Sequence, residues 1–275
     1  MRKERDVIMQ KILRWFVLGF IVVVALAPIL PQFVWSFSHR WLFPALLPTE
    51  WSTEPWEYVA SPSSRVGEGF ANSLSIAVVV SIMSIVVALP AARALALYNF
   101  RGKAVIEWLL MVPIIVPGIV ATMGIHQVFI RLDLTDTFIG VCLVHLIPCI
   151  PYMVLVMSSV FANYGTELED TARTLGANPF NVFRFVTLPG ILPGLLVSTM
   201  FTFLISWGQY ITTVLIGGGT IITLPMVLFP FISGTNYSNA AAISLVFVAP
   251  AILVLIVTSR QLGRESAVMG GFGRL

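Results

Sequence analysis

An all-α, polytopic membrane protein with six transmembrane helices is the expectation for this 275-residue chain. Composition argues for it first: 57% of the residues are hydrophobic and only 11% are charged, against about 25% charged in a soluble domain. So few charges cannot cover a water-facing surface. Block length argues for it next, because the apolar residues run in stretches near the roughly 20 needed to cross the hydrocarbon core of a bilayer. The distribution of Lys and Arg along the chain is the third argument.

The apolar segments run from about Ile12 to Phe37, Phe70 to Leu97, Val105 to Ile130, Thr137 to Phe161, Pro189 to Ile216 and Ala240 to Thr258. The first is too long for a cleavable signal and lacks a small-residue cleavage site, so it reads as a retained helix. Pro28, Pro31, Pro113, Pro117, Pro148, Pro151 and Pro250 fall inside these segments. Each removes a backbone donor and tends to bend its helix, which membrane helices tolerate where neighbours satisfy the freed carbonyls. Cys142 and Cys149 lie in one apolar block, seven residues apart, and read as small buried hydrophobes rather than a redox or metal pair. The domain organisation expected is an N-terminal helix with an outer loop (1–69), a core of five helices (70–262) and a tail (263–275).

With the N-terminus in the cytoplasm, the inner segments hold Arg2, Lys3, Arg5, Lys11, Arg14, Arg93, Arg101, Lys103, Arg173, Arg184, Arg260, Arg264 and Arg274. The outer loops hold only Arg40, Arg65 and Arg131. This positive-inside bias places both termini in the cytoplasm. It also accounts for the net charge of +3 without any nucleic-acid partner. Trp41, Trp51, Trp56 and Tyr58 in the first outer loop suit the membrane–water interface. The outer stretch 217–238 carries no charge, and its Gly217-Gly218-Gly219 reads as a turn; with no preceding strand and no following Lys, it is not a phosphate-binding loop.

The inner loop 162–188 is the most informative stretch. Thr166 and Glu169 fit a capping box, and Glu167, Glu169 and Asp170 load the first turn with negative charge. Leu168, Ala172 and Leu175 follow at i, i+4 and i+7 and form one apolar face. Gly176 is placed to end the helix with a positive φ. Asn178 can cap a second short helix that has Pro179 at its first position, and Phe180, Val182, Phe183 and Val186 make that helix apolar. Pro189 then closes the unit and opens the fifth span. Two short helices this apolar must rest on membrane helices, on lipid or on a partner protein.

The residues Glu169-Asp170-Thr171-Ala172-Arg173-Thr174-Leu175-Gly176-Ala177 resemble the loop of permease subunits in bacterial binding-protein-dependent ABC importers. That signature reads Glu-Ala-Ala, three residues, Gly, nine residues, then Ile-x-Leu-Pro. Here Asp170, Thr171 and Ala172 stand in the first places, Gly176 follows at the same spacing, and Val186-Thr187-Leu188-Pro189 ends the motif. Asp for Glu, Thr for Ala and Val for Ile are conservative departures. The resemblance covers about Phe70 to Arg260. Ser206-Trp207-Gly208-Gln209-Tyr210, the glycine triplet and Thr223-Leu224-Pro225 look like the matching regions of the polyamine, ferric-iron and thiamine permease branch.

This resemblance implies the type I ABC importer permease fold in a bacterial inner membrane. It implies a coupling helix carrying Glu169, Asp170, Thr171, Ala172, Arg173, Leu175, Gly176, Ala177 and Pro179, docked on a cytoplasmic ATPase. The implied partners are two ATPase subunits, a second permease chain of the same or a different kind, and a soluble binding protein that delivers a small solute. ATP and Mg²⁺ belong to the ATPase, with no cofactor and no catalytic residue in this chain.

Polar residues inside spans are functional suspects. Thr122, His126, His145, Ser206, Gln209 and Tyr210 either line the solute pathway or bond across helices. No Asp or Glu stands near the middle of any span. The alternative function is a stand-alone secondary transporter or channel, and a proton- or cation-coupled carrier usually places one there.

Overall fold

The computed structural model describes residues 2–41, 45 and 47–272, with side chains described between Met9 and Gln261 except at those gaps and at Gln10, Ile12, Ala25 and Arg40. Helices α1 (Arg2–Leu26) and α2 (Ile29–Trp35) give one apolar stretch, Leu13–Trp35. Leu13, Phe16, Phe20 and Val23 on α1 are exposed, and a helix that is apolar all round is one meant for a membrane. A short antiparallel pair, β1 (Ser38–Arg40) and β2 (Glu50–Trp51), follows, then α3 (Glu54–Ala60). The long helix α4 (Val66–Leu97) comes next, then α5 (Lys103–Ile115), α6 (Gly118–Arg131) and α7 (Phe138–Tyr164). Helices α8 (Glu167–Thr174) and α9 (Pro179–Val182) form the inner loop, and a π turn (Phe183–Thr187) joins α9 to α10 (Leu188–Trp207). The chain ends with α11 (Ile211–Gly217), α12 (Leu224–Ser233) and α13 (Tyr237–Phe272).

Among the described residues, five helical stretches are long and apolar enough to cross a membrane, or six if α5 and α6 count as one. The expected third span is therefore not a straight helix. It breaks by 108° between α5 and α6. Val116 stands before Pro117 and is extended, φ −74 and ψ 131, because a proline ring disfavours the helical region for the residue ahead of it.

The expected fifth span is also redrawn. It begins at Pro179 rather than Pro189 and ends at Trp207 rather than Ile216. Pro189 does not close the second loop helix. Its ring would crowd the carbonyl four residues back, and the chain passes that point through the wider π turn. The outer stretch 217–238 holds a helix, α12, that its lack of charge did not reveal. Residues of the expected tail up to Phe272 continue α13, and the last three lie outside the described residues.

The chain divides into two compact units. The first comprises Met1–Gly67 with Leu228–Val248, so the stretch 228–248 groups with the N-terminal residues. It is held by aromatic contacts: Trp35 lies 4.7 Å from Tyr237 and 5.6 Å from Trp41, centroid to centroid. His39 Nδ1 meets Glu54 Oε2 at 2.9 Å.

The second unit comprises Glu68–Val227 with Ala249–Leu275. Its core stacks α4 on α7. One cluster gathers Ile76, Val80, Val141, Val144 and Ile216 with both cysteines, which are free and buried as expected. A second cluster gathers Ala88, Ala92, Met153, Met157, Phe161 and Ile191. Helix α10 lies close on α7. A Cβ at Gly190 would strike the ring of Tyr164, and one at Gly194 would strike Val160. Small residues allow such approach where lipid supplies no hydrophobic drive between helices.

Candidate functional site

The loop between α7 and α10 has the local form its sequence predicts at three points. Gly176 adopts φ +87, a conformation that costs glycine no steric penalty. Around it the N–H of Ala177 donates to Ala172 O at 3.0 Å and that of Gly176 to Arg173 O at 2.9 Å, the paired bonds of a Schellman stop. Asn178 Oδ1 accepts from the N–H of Asn181 at 2.8 Å and caps α9, with Pro179 at its start. The apolar side chains turn away from the protein: Leu168, Leu175 and Phe180 are 61%, 83% and 66% exposed. Asp170, Thr171, Arg173 and Gly176 are exposed on the same short helix and its stop, while Ala172 and Ala177 are half-buried.

The capping box does not form. Thr166 makes no side-chain cap bond, and Glu169 points inward, only 1% exposed. Arg93 of α4 grips it with both nitrogens, Nη1 to Oε1 at 2.7 Å and Nη2 to Oε2 at 2.5 Å. Thr187, the last residue of the π turn, donates its hydroxyl to Oε1 at 2.7 Å. Arg173 adds a longer bond to Oε2 at 3.3 Å and pairs with Asp170 at 2.9 Å. A bidentate bond between opposite charges is worth more than a single carboxylate bond to a backbone N–H, and so the inward rotamer wins. The Arg93 guanidinium, opposed by burial and helped by the Thr187 hydroxyl, holds the Glu169 carboxyl below its ordinary range. Arg93 and Thr187 were not singled out by the sequence. A basic residue within a helix long enough to span the membrane was the available signal.

A second polar group lies within the spans. His145 of α7 is 1% exposed, with Nδ1 3.0 Å from Ser206 Oγ and Nε2 2.9 Å from Thr213 Oγ1. Thr213 donates its own proton to Gln209 O at 3.0 Å, so it accepts from Nε2–H, and Nδ1 of the neutral ring accepts from Ser206. Gln209 Nε2 donates to His145 O at 3.3 Å, and Thr212 donates to Gln209 Oε1 at 2.5 Å. These bonds surround the break between α10 and α11, where irregular backbone at membrane depth needs partners within the protein.

A cavity of about 230 Å³ lies beside this group, lined by Pro113, Thr122, Pro148, Gln209 and Thr212 among others. Thr122 returns its hydroxyl to Gly118 O at 2.7 Å. The structure thus brings His145, Ser206 and Gln209 together and sets Thr122 and Gln209 on the cavity wall. His126 and Tyr210 are half-buried and stand outside that wall.

Stacked apolar helices, a Schellman-stopped loop helix exposing Leu168 and Leu175, and a kinked polar interior define the class of a multi-pass solute permease. The chain belongs to the family of binding-protein-dependent transport system inner membrane components, which it matches over residues 83–263. It is a transmembrane permease subunit of a binding-protein-dependent ABC importer. It is 24% identical over 251 residues to the inner membrane ABC transporter permease protein YcjP of Escherichia coli strain K12, covering 88% of this chain and 90% of that one. It is 28% identical over 216 residues to the sulfate transport system permease protein CysT of Salmonella typhimurium, covering 73% and 77%. Its relatives include a spermidine/putrescine permease as well as the sulfate permease, so the expected polyamine, ferric-iron and thiamine branch fits only loosely. The fold is shared with a chain of a bacterial ABC transporter that imports the acidic polysaccharide alginate, at a TM-score of 0.70 and 20% identity, covering 92% of this chain and 96% of that one.

Proposed function

We propose that this subunit pairs with a second permease chain, with two cytoplasmic ATPase subunits below and a soluble binding protein delivering the solute from outside. The 166–189 segment is the coupling element, and both termini share its side of the membrane. ATP and Mg²⁺ are bound by the ATPase subunits, and this chain carries no catalytic group. One observation carries the reading: Leu168, Leu175 and Phe180 stand exposed on a loop of charged neighbours, and a clustered apolar patch of this kind marks a contact surface. The thirteen-to-three bias of Lys and Arg toward the loop's side supports the orientation.

Solute passes a weakly selective route past Thr122 and Gln209, and recognition is left to the binding protein. Movement of the loop shifts the packed helices between two arrangements. The test is a pull-down through a tag on this chain. The wild type retains an ATPase subunit, whereas Leu175→Asp with Phe180→Asp lowers the retained amount at least tenfold at equal membrane level. Equal retention by the double variant would place the ATPase contact elsewhere.

A further inference from the structure

The carboxylate of Glu169 joins three separate elements at one point: its own helix α8, α4 through Arg93, and the head of α10 through Thr187. The backbone of α8 packs against α9 and the π turn. The polar link from loop to α4 runs through the Arg93–Glu169 side-chain pair. On the far side Arg93 is seated over the ring of Phe161 of α7, 5.8 Å from its centroid. Both oxygens of Glu169 are occupied and the group is 1% exposed, so water offers no competing partner. The charged bonds also fix direction. A bidentate guanidinium–carboxylate pair resists rotation as well as separation, whereas the apolar contacts of a short helix resist neither strongly.

We propose that Glu169 is a positioning residue that couples displacement of the loop to α4 and α10 together, with Arg93 and Thr187 as its two receivers. The inference rests on the reading of the loop as the coupling element. The irregular part of the helix lies next to it. The π turn, ending at Thr187, leaves one wider turn between loop and span, and such turns recur at functional sites. Without the carboxylate, movement of α8 would spend itself in that turn and leave α4 behind. The pair thus sets how far a push on the loop travels, which is a different task from holding the ATPase. Leu168 and Leu175, the groups read as facing the ATPase, are exposed, whereas Glu169 is buried.

The experiment compares hydrogen exchange of the purified permease–ATPase complex before and after addition of Mg·ATP with orthovanadate. In the wild type, exchange changes both in residues 166–178 and in residues 88–97 of α4. In Glu169→Ala the loop response persists, the change in 88–97 shrinks at least fivefold, and the ATPase subunit co-purifies in wild-type amount. If Glu169→Ala does not accumulate in the membrane, Glu169→Gln carries the same test, because it keeps an acceptor for Thr187 and loses only the charge that holds Arg93. An undiminished response of 88–97 in either accumulating variant overturns the proposal. A wild-type chain that retains no ATPase overturns the coupling reading and the proposal with it. A loop response lost together with the α4 response, with the ATPase retained, assigns Glu169 to loop folding alone and likewise overturns it.

Discussion

Arg93 and Glu169 stand 76 positions apart in sequence and are joined by two bonds of 2.7 and 2.5 Å, with the carboxylate almost wholly out of water. Breaking a buried pair by removing one partner costs about 3–5 kcal/mol, because the other charge stays buried. Thr187 and Arg173 still reach Glu169, so Arg93→Met is expected at the lower end, ~3 kcal/mol. The check is thermal unfolding in detergent together with protease cleavage within 162–188, which should speed up. Unchanged melting and unchanged cleavage would contradict the pair's place in the fold.

The same pair sets a pH dependence. The carboxyl of Glu169 titrates lower in the folded chain than in the unfolded one, chiefly through its bonds to Arg93. Its stabilisation is then fully present above the ordinary carboxylate value and is lost as pH falls through the lowered folded value. Protease resistance of the loop should stay level between pH 8 and pH 5 and decline only in stronger acid, below ~4. A decline centred at pH 6 would point to a different titrating group.

His145 holds Ser206 and Thr213 across α7, α10 and α11. His145→Leu leaves two hydroxyls in a dry interior, and interhelical bonds in membranes are worth about 0.6–2 kcal/mol each. The melting temperature should fall by several degrees while the retained ATPase is unchanged. His145→Gln, which restores one donor and one acceptor, should recover part of the loss. Equal loss in both variants would assign the effect to volume instead.

Gly176 stops α8 at φ +87 with open space around its Cα. Gly176→Val meets no neighbour but forces a β-branched residue into a left-handed conformation, at a cost of about 1–3 kcal/mol. That is small beside membrane insertion and similar to common coupling free energies of about 1–3 kcal/mol. ATP hydrolysis by the assembled complex should fall more than membrane abundance does. Full hydrolysis at normal abundance would relieve Gly176 of any part in coupling.

The orientation is open to direct labelling. Thr235 lies in the stretch between α12 and α13, and Asn163 lies at the end of α7; both are exposed. In intact cells an impermeant thiol reagent should modify Thr235→Cys and spare Asn163→Cys. Labelling at position 163 from outside would reverse the assignment of sides.

The sequence by itself determined whatever depends on near neighbours or on solvent class. Apolar blocks long enough to span a bilayer, the glycine stop at 176, the Asn178 cap and the apolar face of α8 are set within a few residues of one another, and each stands where its local pattern placed it. The seam at Val116-Pro117 was legible as a bend, but its 108° angle was not, since a proline forbids one conformation without choosing among the others. Tertiary structure alone decided the fate of Glu169. Local capping offered it one backbone N–H, while the fold offered a guanidinium from α4, and the bidentate bond between opposite charges drew the side chain inward. The same holds for His145, whose partners lie 61 and 68 positions away. A polar group in a span must find a donor or acceptor inside the protein, and only the packing of the helices fixes which one it meets.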